Sequence, residues 1–135
     1  MTTPALLKRG EAIDPTGVRR ALIVEDQSDI SDLIDQIIRP LGFVTVRASN
    51  GEDAVRLARA IAPSVITLDL NLPLKDGHEV LLDLASDPTT RDIPVIVISA
   101  YTPHVKRTEQ VVGILGKPFE IEDLQQTITV ATGQQ

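Results

Sequence analysis

The sequence of 135 residues contains no cysteine and no tryptophan. Without cysteine, the chain can form neither a disulfide framework nor a thiolate metal site, which agrees with a reducing compartment. Its aromatic residues are Phe43, Tyr101 and Phe119, too few for a platform on which nucleobases or a flavin ring would stack. The sequence also lacks the roughly 20 consecutive apolar residues of a membrane span. We therefore expect a soluble, cytoplasmic protein.

Positive charge is scarce as well. The chain has 13 Lys and Arg against 19 Asp and Glu, a formal net charge of -6, and the basic residues are scattered. Because binding to phosphate backbones needs clustered Lys and Arg, this composition disfavours direct contact with nucleic acid. Nor does the sequence contain a Gly-rich phosphate-binding loop of the nucleotide-binding type.

The length suits one domain that buries roughly two thirds of its unfolded surface. Residues 1–18 contain Pro and Gly without sustained periodicity, so we expect them to form a mostly disordered arm. The folded domain is predicted over 19–132, followed by a short tail over 133–135. We expect a monomer or a weak homodimer.

Apolar runs rich in β-branched residues alternate with helical stripes along this domain. The pattern predicts strands over 19–24, 43–48, 64–69, 93–99 and 112–116. Helices are predicted to begin near Ser28 (the expected N-cap), Asn50, Gly77, Tyr101 and Ile121. The fourth, over 101–112, has few apolar residues, so we expect it to be short or irregular. Such alternation predicts an α/β fold with a doubly wound, five-stranded parallel sheet and helices on both faces.

Polar side chains follow four of these strands at the predicted carboxyl ends. They are Glu25 and Asp26, Asp69, Ser99, and Lys117. Carboxyl ends of parallel strands lie at one edge of a sheet, where ligands bind in open α/β folds. Three carboxylates gathered there would repel one another unless a cation lies among them. Oxygen ligands without His or Cys indicate a hard ion, so the pattern predicts Mg²⁺ and not zinc.

A magnesium site of this kind suits phosphoryl transfer. We expect Asp69 to be the nucleophile that accepts the phosphoryl group. The metal ligands are predicted to be Glu25 (directly or through water), Asp26, Asp69 and the backbone carbonyl of Asn71. Lys117 would supply a compact positive charge, and the Ser99 hydroxyl would donate a hydrogen bond to a phosphoryl oxygen.

The ordered set of motifs resembles the receiver domain of two-component response regulators over about residues 19–132. The resemblance is carried by an acidic pair, an acceptor loop, a hydroxyl and small residue pair, and a lysine and proline pair: Glu25-Asp26, Asp69 to Gly77, Ser99-Ala100 and Lys117-Pro118-Phe119. It implies a flavodoxin-like sheet of strand order 2-1-3-4-5, a bound Mg²⁺ and a cis peptide before Pro118.

The resemblance also implies a function. Asp69 would receive its phosphoryl group from a phosphohistidine of a sensor histidine kinase or a histidine phosphotransfer protein. The protein would promote its own phosphorylation and dephosphorylation without being a turnover enzyme on an external substrate. Since no output domain follows in this sequence, we expect a single-domain response regulator that signals by contact with a downstream protein of unknown identity.

Two departures from the family pattern concern the output surface. Ile114 lies three residues before the lysine, where the family usually has an aromatic residue that rotates inward. The interval from Ser99 to Lys117 is also shorter than is usual in the family, by roughly one helical turn. Our hypothesis is that the fourth helix is short or mobile and that signalling does not use the aromatic rotation.

Two other functions are compatible with parts of the sequence. A receiver-like adaptor that binds partners without being phosphorylated is favoured by Ile114 and by the shortened segment, but the intact acidic residues and lysine argue against it. A phosphatase with an Asp nucleophile needs a second, general-acid Asp two residues later, and that position is Asn71. The phosphatase is therefore disfavoured.

Overall fold

The computed structural model describes residues 17–100, 105 and 108–133. Strands and helices alternate in these ranges, in the order β1 Arg19–Val24, α1 Ser28–Ile38, β2 Phe43–Ala48, α2 Gly51–Ile61, β3 Val65–Leu68, α3 Gly77–Ser86, β4 Val95–Ser99, β5 Val111–Gly116 and α4 Ile121–Ala131. The strands pair in parallel in the order β2-β1-β3-β4-β5. This arrangement confirms the predicted doubly wound fold. No helix in the described ranges combines the length and the apolar character needed to cross a membrane.

Two apolar layers cover the faces of the sheet. Alternate residues of β1 divide between them, because successive side chains of a strand point to opposite faces. Leu22 and Val24 pack in the layer with α2 and α3, whereas Ala21 and Ile23 pack in the layer with α1 and α4. The strands β3 and β4 are buried along their whole length. The sheet therefore gives the residues at its carboxyl edge a rigid base.

The start of α1 differs from the sequence-based expectation. Gln27 is the N-cap and no side chain caps the helix, so the predicted capping role of Ser28 is wrong. The Gln27 N–H donates instead to Glu25 Oε2, at 3.2 Å. Because this contact holds Gln27 in extended geometry, Ser28 is already the first helical residue. The helix is followed by a 3₁₀ turn over Arg39–Leu41, which ends at a left-handed Gly42 at φ 98°.

The connection from β4 to β5 bears on the predicted fourth helix. Its described residues, Val105 and 108–110, are not helical. Strand β5 begins at Val111, which pairs with Val95, so the prediction that the helix continues to Val112 is wrong. Residues 101–104 and 106–107 of that prediction lie outside the described ranges, as do residues 1–16 of the expected arm.

Candidate functional site

The parallel register brings the chemically active residues together at one edge of the sheet. Val24 pairs with Leu68, so the residues that follow them, Glu25 and Asp69, lie side by side. Ser99 pairs with Gly116, and the Lys117 N–H donates to the Ser99 carbonyl oxygen at 3.1 Å. Four strands thus contribute to a single cluster.

Lys117 connects two carboxylates in this cluster. Its Nζ lies 2.7 Å from Glu25 Oε1 and 3.0 Å from Asp69 Oδ2. The lysine side chain is largely buried, and Glu25 and Asp69 are buried as well. A single ammonium group therefore partly neutralises two buried carboxylates, which could not otherwise stay charged next to each other without a large penalty.

The second oxygen of Asp69 is also held in place. Asp69 Oδ1 accepts hydrogen bonds from the Ser99 hydroxyl at 3.3 Å and from the Asn71 N–H at 3.1 Å. The Asp69 N–H donates to the Val24 carbonyl oxygen at 3.0 Å. With its backbone fixed to β1 and both carboxylate oxygens bonded, the Asp69 side chain has a defined orientation.

An acidic cluster lies next to Lys117. Carboxylate oxygens of Glu25, Asp26 and Asp69 lie within 4.8 Å of one another, and Asp26 is exposed whereas the other two are buried. The atoms that these three side chains offer to a metal are all carboxylate oxygens. Such ligands suit Mg²⁺, because this ion binds to proteins through one or two carboxylates and keeps several waters. The residues present therefore fit a magnesium ion, which Glu25, Asp26 and Asp69 would hold.

Burial and charge shift the protonation of this cluster. Burial raises the pKa of Glu25, and the charge of Asp69 adds to the increase, whereas hydrogen bonds from Lys117 and Gln27 oppose it. Burial acts to lower the pKa of Lys117, but hydrogen bonds to Glu25 and Asp69 outweigh it and raise that pKa above its usual value. The lysine therefore stays protonated beside its two partners.

The cluster opens into a cavity of about 430 Å³. Most of the predicted site residues line it, together with His78, which was not among the predicted site residues. The full lining is Asp26, Gln27, Asp69, Leu70, Asn71, Asp76, His78, Ser99, Ala100 and Lys117. The position of His78, directly after Gly77 at the start of α3, could have indicated this. Asp76 is the N-cap of α3, and its Oδ1 accepts hydrogen bonds from the N–H groups of His78 and Glu79.

Residues 70–77, which we call the acceptor loop, fold back tightly onto Asp69. The Gly77 N–H donates to the Leu70 carbonyl oxygen at 2.8 Å. A Cβ at Gly77 would lie 2.4 Å from Leu70 Cα and 2.7 Å from the Asp69 carbonyl oxygen. Glycine is therefore required at this position, because any side chain would push the loop away from the site.

Ile114 lies in β5, opposite Val97 of β4. Its side chain packs partly buried against the apolar layer that α2 and α3 cover. The position at which the resemblance implies an aromatic ring is thus filled by an aliphatic side chain, as the sequence indicates.

Comparison with known proteins agrees with this geometry. The family model of the response regulator receiver domain matches residues 21–129. The chain is 37% identical over 83 residues to the polar-differentiation response regulator DivK of Brucella anthropi, covering 62% of this chain and 68% of that protein. It is 29% identical over 101 residues to protein Rrf1 of Nitratidesulfovibrio vulgaris, covering 75% of this chain and 73% of that protein.

Some relatives are considerably longer than the matched region. The transcriptional regulatory protein PdtaR of Mycobacterium tuberculosis is 31% identical over 121 residues, which cover 86% of this chain but only 58% of PdtaR. The similarity therefore concerns only part of that protein.

Solved structures show the same fold. The receiver domain of sensor histidine kinase PA1611 from Pseudomonas aeruginosa, solved with a magnesium ion in its active site cleft, superposes with a TM-score of 0.78 at 25% identity, covering 87% of this chain and 100% of that one. The chemotaxis protein CheY4 of Vibrio cholerae gives a TM-score of 0.76 at 24% identity, covering 85% and 99%. On the match of the family model to most of its length, this chain belongs to the receiver domain family of response regulators.

Proposed function

We propose that Asp69 accepts a phosphoryl group from a phosphohistidine of a sensor histidine kinase or a histidine phosphotransfer protein, in a reaction that depends on Mg²⁺. The main support is the arrangement around Asp69. A buried carboxylate is oriented by Lys117 and Ser99 and lies within an acidic cluster that has only oxygen donors.

The transfer is a substitution at phosphorus. An Asp69 carboxylate oxygen attacks the phosphorus atom, an O–P bond forms, and the P–N bond to the donor imidazole breaks. The electron pair of that bond stays on the imidazole nitrogen, which takes up a proton. Mg²⁺, bound by Glu25, Asp26, Asp69 and the backbone carbonyl of Asn71, would neutralise negative charge on the phosphoryl oxygens.

Lys117 and Ser99 would act on the phosphoryl group from the protein side. The ammonium group lies 3.0 Å from Asp69 Oδ2. At this distance it would stabilise the negative charge on the carboxylate before the transfer and on the phosphoryl oxygens during it. The Ser99 hydroxyl is bonded to Oδ1 in this structure and would donate to a phosphoryl oxygen after the transfer. Both groups are placed on strand ends and so need little reorganisation.

The phosphorylated chain would signal by protein contact. Receiver domains are signalling domains and not classical turnover enzymes, which agrees with a site that modifies its own carboxylate. Ile114 has no aromatic ring to turn inward, so we propose that this chain transmits its state without the aromatic rotation usual in the family.

The test is phosphorylation by phosphoramidate, a small donor with the same P–N bond as phosphohistidine. We expect one phosphoryl group per chain by intact mass with Mg²⁺, and at least a tenfold lower yield without it. Asp69→Asn removes the nucleophile and should give no adduct. Asp123→Asn removes an exposed carboxylate of α4 outside the site and should behave as the native protein.

A folded chain that gives no adduct with either phosphoramidate or acetyl phosphate would contradict the proposal. That outcome would instead favour the adaptor that binds partners without phosphorylation. An adduct that persists in Asp69→Asn would place the phosphoryl group on another residue.

A further inference from the structure

The acceptor loop rests on the first residue of helix α2. A Cβ built at Gly51 would lie 1.8 Å from the Lys75 carbonyl oxygen and 2.6 Å from its carbonyl carbon. These are backbone atoms, which cannot rotate away as the end of a side chain can. The crown of the acceptor loop, which comprises residues 73–75, can therefore occupy its observed position only because residue 51 has no side chain.

Further contacts hold the loop against its neighbours. The Gly51 N–H points to the Pro73 carbonyl oxygen at 3.4 Å, and the Lys75 N–H donates to the same oxygen at 2.8 Å. The Lys75 ammonium group forms an ion pair with Asp83 of α3. The crown is thus fixed by α2 on one side and by α3 on the other, while Gly77 closes the base of the loop.

The position of the crown determines where Asn71 lies. Only Leu72 separates Asn71 from Pro73, and Leu72 is buried, so this short segment cannot absorb a large shift. The Asn71 N–H also donates to Asp69 Oδ1, which couples the loop to the acceptor carboxylate. If the Lys75 carbonyl moved by more than an ångström, Asn71 would move relative to Asp69.

We propose that Gly51 is a positioning residue for the metal site, acting through the acceptor loop on the backbone of Asn71. This inference rests on the proposed function, because it takes the Asn71 carbonyl as a ligand of Mg²⁺. Gly51 touches neither the metal ligands nor the reacting atoms. Its effect is to set the height of the loop above α2 and thereby the affinity for magnesium.

Helix propensity acts in the opposite direction at this position. Gly51 is helical and has no left-handed φ, so alanine suits its backbone and is the better helix former. A Gly51→Ala variant that binds Mg²⁺ more weakly would therefore owe the loss to the contact with Lys75 and not to a weaker helix.

The test is a Mg²⁺ titration followed by the backbone amide NMR shifts of Asp69 to Asn71, which requires no phosphoryl chemistry. We expect Gly51→Ala to weaken Mg²⁺ binding about tenfold, the lower end of the losses seen when supporting residues of metal sites are changed. The matched control is Gly116→Ala, since a Cβ there meets nothing within 4 Å. It should bind Mg²⁺ as the native chain does.

A second variant covers the case in which Gly51→Ala fails to fold. Lys75→Met removes the ion pair with Asp83 and adds no atom near Gly51, and we expect about a two- to fivefold loss of Mg²⁺ affinity, the range of a partly exposed pair. Native affinity in a folded Gly51→Ala variant would overturn the inference, and so would native affinity in Lys75→Met if Gly51→Ala does not fold.

Failure of the proposed function gives a different result. If the native chain binds Mg²⁺ but forms no phosphoryl adduct, the phosphoacceptor role fails while the inference about Gly51 is still decided by the titration. If the native chain binds no Mg²⁺, the metal site itself fails. In that case the inference fails with it, since Gly51 would have no metal affinity to set.

Discussion

Within the described ranges, two residues other than glycine have left-handed backbone geometry. Ala62, at φ 46°, follows the last turn of α2, and Leu74, at φ 69°, lies in the acceptor loop with 76% of its surface exposed. Left-handed geometry costs a residue with a Cβ roughly 1–2 kcal/mol. Leu74 therefore combines backbone strain with an exposed apolar side chain next to the site, whereas the strain at Ala62 only ends a helix.

Ala62 allows this strain to be measured without touching the site. We predict that Ala62→Gly raises the free energy of unfolding by about 0.5–1 kcal/mol, since glycine relieves the left-handed geometry but gains more freedom in the unfolded chain. Urea denaturation with an unchanged m-value measures the effect. The control is Ala60→Gly at an exposed position in the last turn of α2, which should lose up to about 1 kcal/mol because glycine disfavours the helix. A loss of stability in both variants would contradict the argument.

Residue identity alone indicated most of the site but not its contacts. Glu25, Asp69 and Lys117 were expected near one another because each follows a predicted strand. That one ammonium bridges both carboxylates depends on side-chain geometry, which a sequence does not specify. The role of Gly51 was missed for the same reason, since it depends on how low the acceptor loop lies over a helix that starts some 20 residues earlier in the sequence.

The buried carboxylate of Asp35 links helix α1 to the edge strand β2. Asp35 of α1 accepts hydrogen bonds from Arg39 Nε, at 3.1 Å, and from the hydroxyl of Thr45 in β2, and Arg47 Nη2 lies 3.1 Å from its other oxygen. Burial acts to raise the pKa of Asp35, but these hydrogen bonds and charges outweigh it and lower that pKa below its usual value.

This arrangement predicts how stability depends on pH. Because the pKa of Asp35 is lower in the folded chain than in the unfolded one, its contribution is complete above the unfolded value of about 3.9 and is lost as the pH falls through the folded value. We expect Asp35→Asn to lower the free energy of unfolding by about 1–3 kcal/mol at neutral pH, as for hydrogen bonds to a charged group.

The same measurement at acid pH provides the check. The difference between the native chain and Asp35→Asn should shrink as the pH falls below about 3.9, because the unfolded carboxylate takes up a proton there while the folded one is still charged, and it should vanish below the lower folded pKa. Asp32→Asn is the control, because Asp32 is exposed and forms a surface ion pair with Arg47, so a smaller effect is expected. An Asp35→Asn difference that stays constant from neutral to acid pH would show that the carboxylate charge does not contribute.

Elements were predictable where one physical signal dominated. Strands β1, β3 and β4 are runs of β-branched and other apolar residues, and the buried centre of a parallel sheet requires such runs. The N-cap of α1 was predicted at Ser28, because serine is common at that position. The cap lies at Gln27 instead, where the backbone N–H donates to the Glu25 side chain. The start of β5 was placed one residue late because Val111 fits a helix and a strand equally well until its pairing with Val95 is known.

The fold brings residues that are far apart in the sequence to one site. Lys117 contacts Glu25 across 92 residues of sequence, and Ser99 contacts Asp69 across 30. Parallel pairing of five strands places all four at the same edge, above a sheet that is covered on both faces. The site is therefore a property of the complete fold, and its geometry should be lost whenever the sheet unfolds.

The location of the phosphoryl group distinguishes Asp69 from every other possible acceptor in the chain. Hydride reduction converts an acyl phosphate on aspartate to homoserine, which marks the acceptor permanently and can be located by peptide mass. After treatment with phosphoramidate and Mg²⁺, we expect homoserine at position 69 and at no other position, and at least tenfold less of it when Mg²⁺ is omitted. Homoserine at another aspartate, or its absence from a folded chain that binds Mg²⁺, would contradict the assignment of Asp69 as the phosphoacceptor.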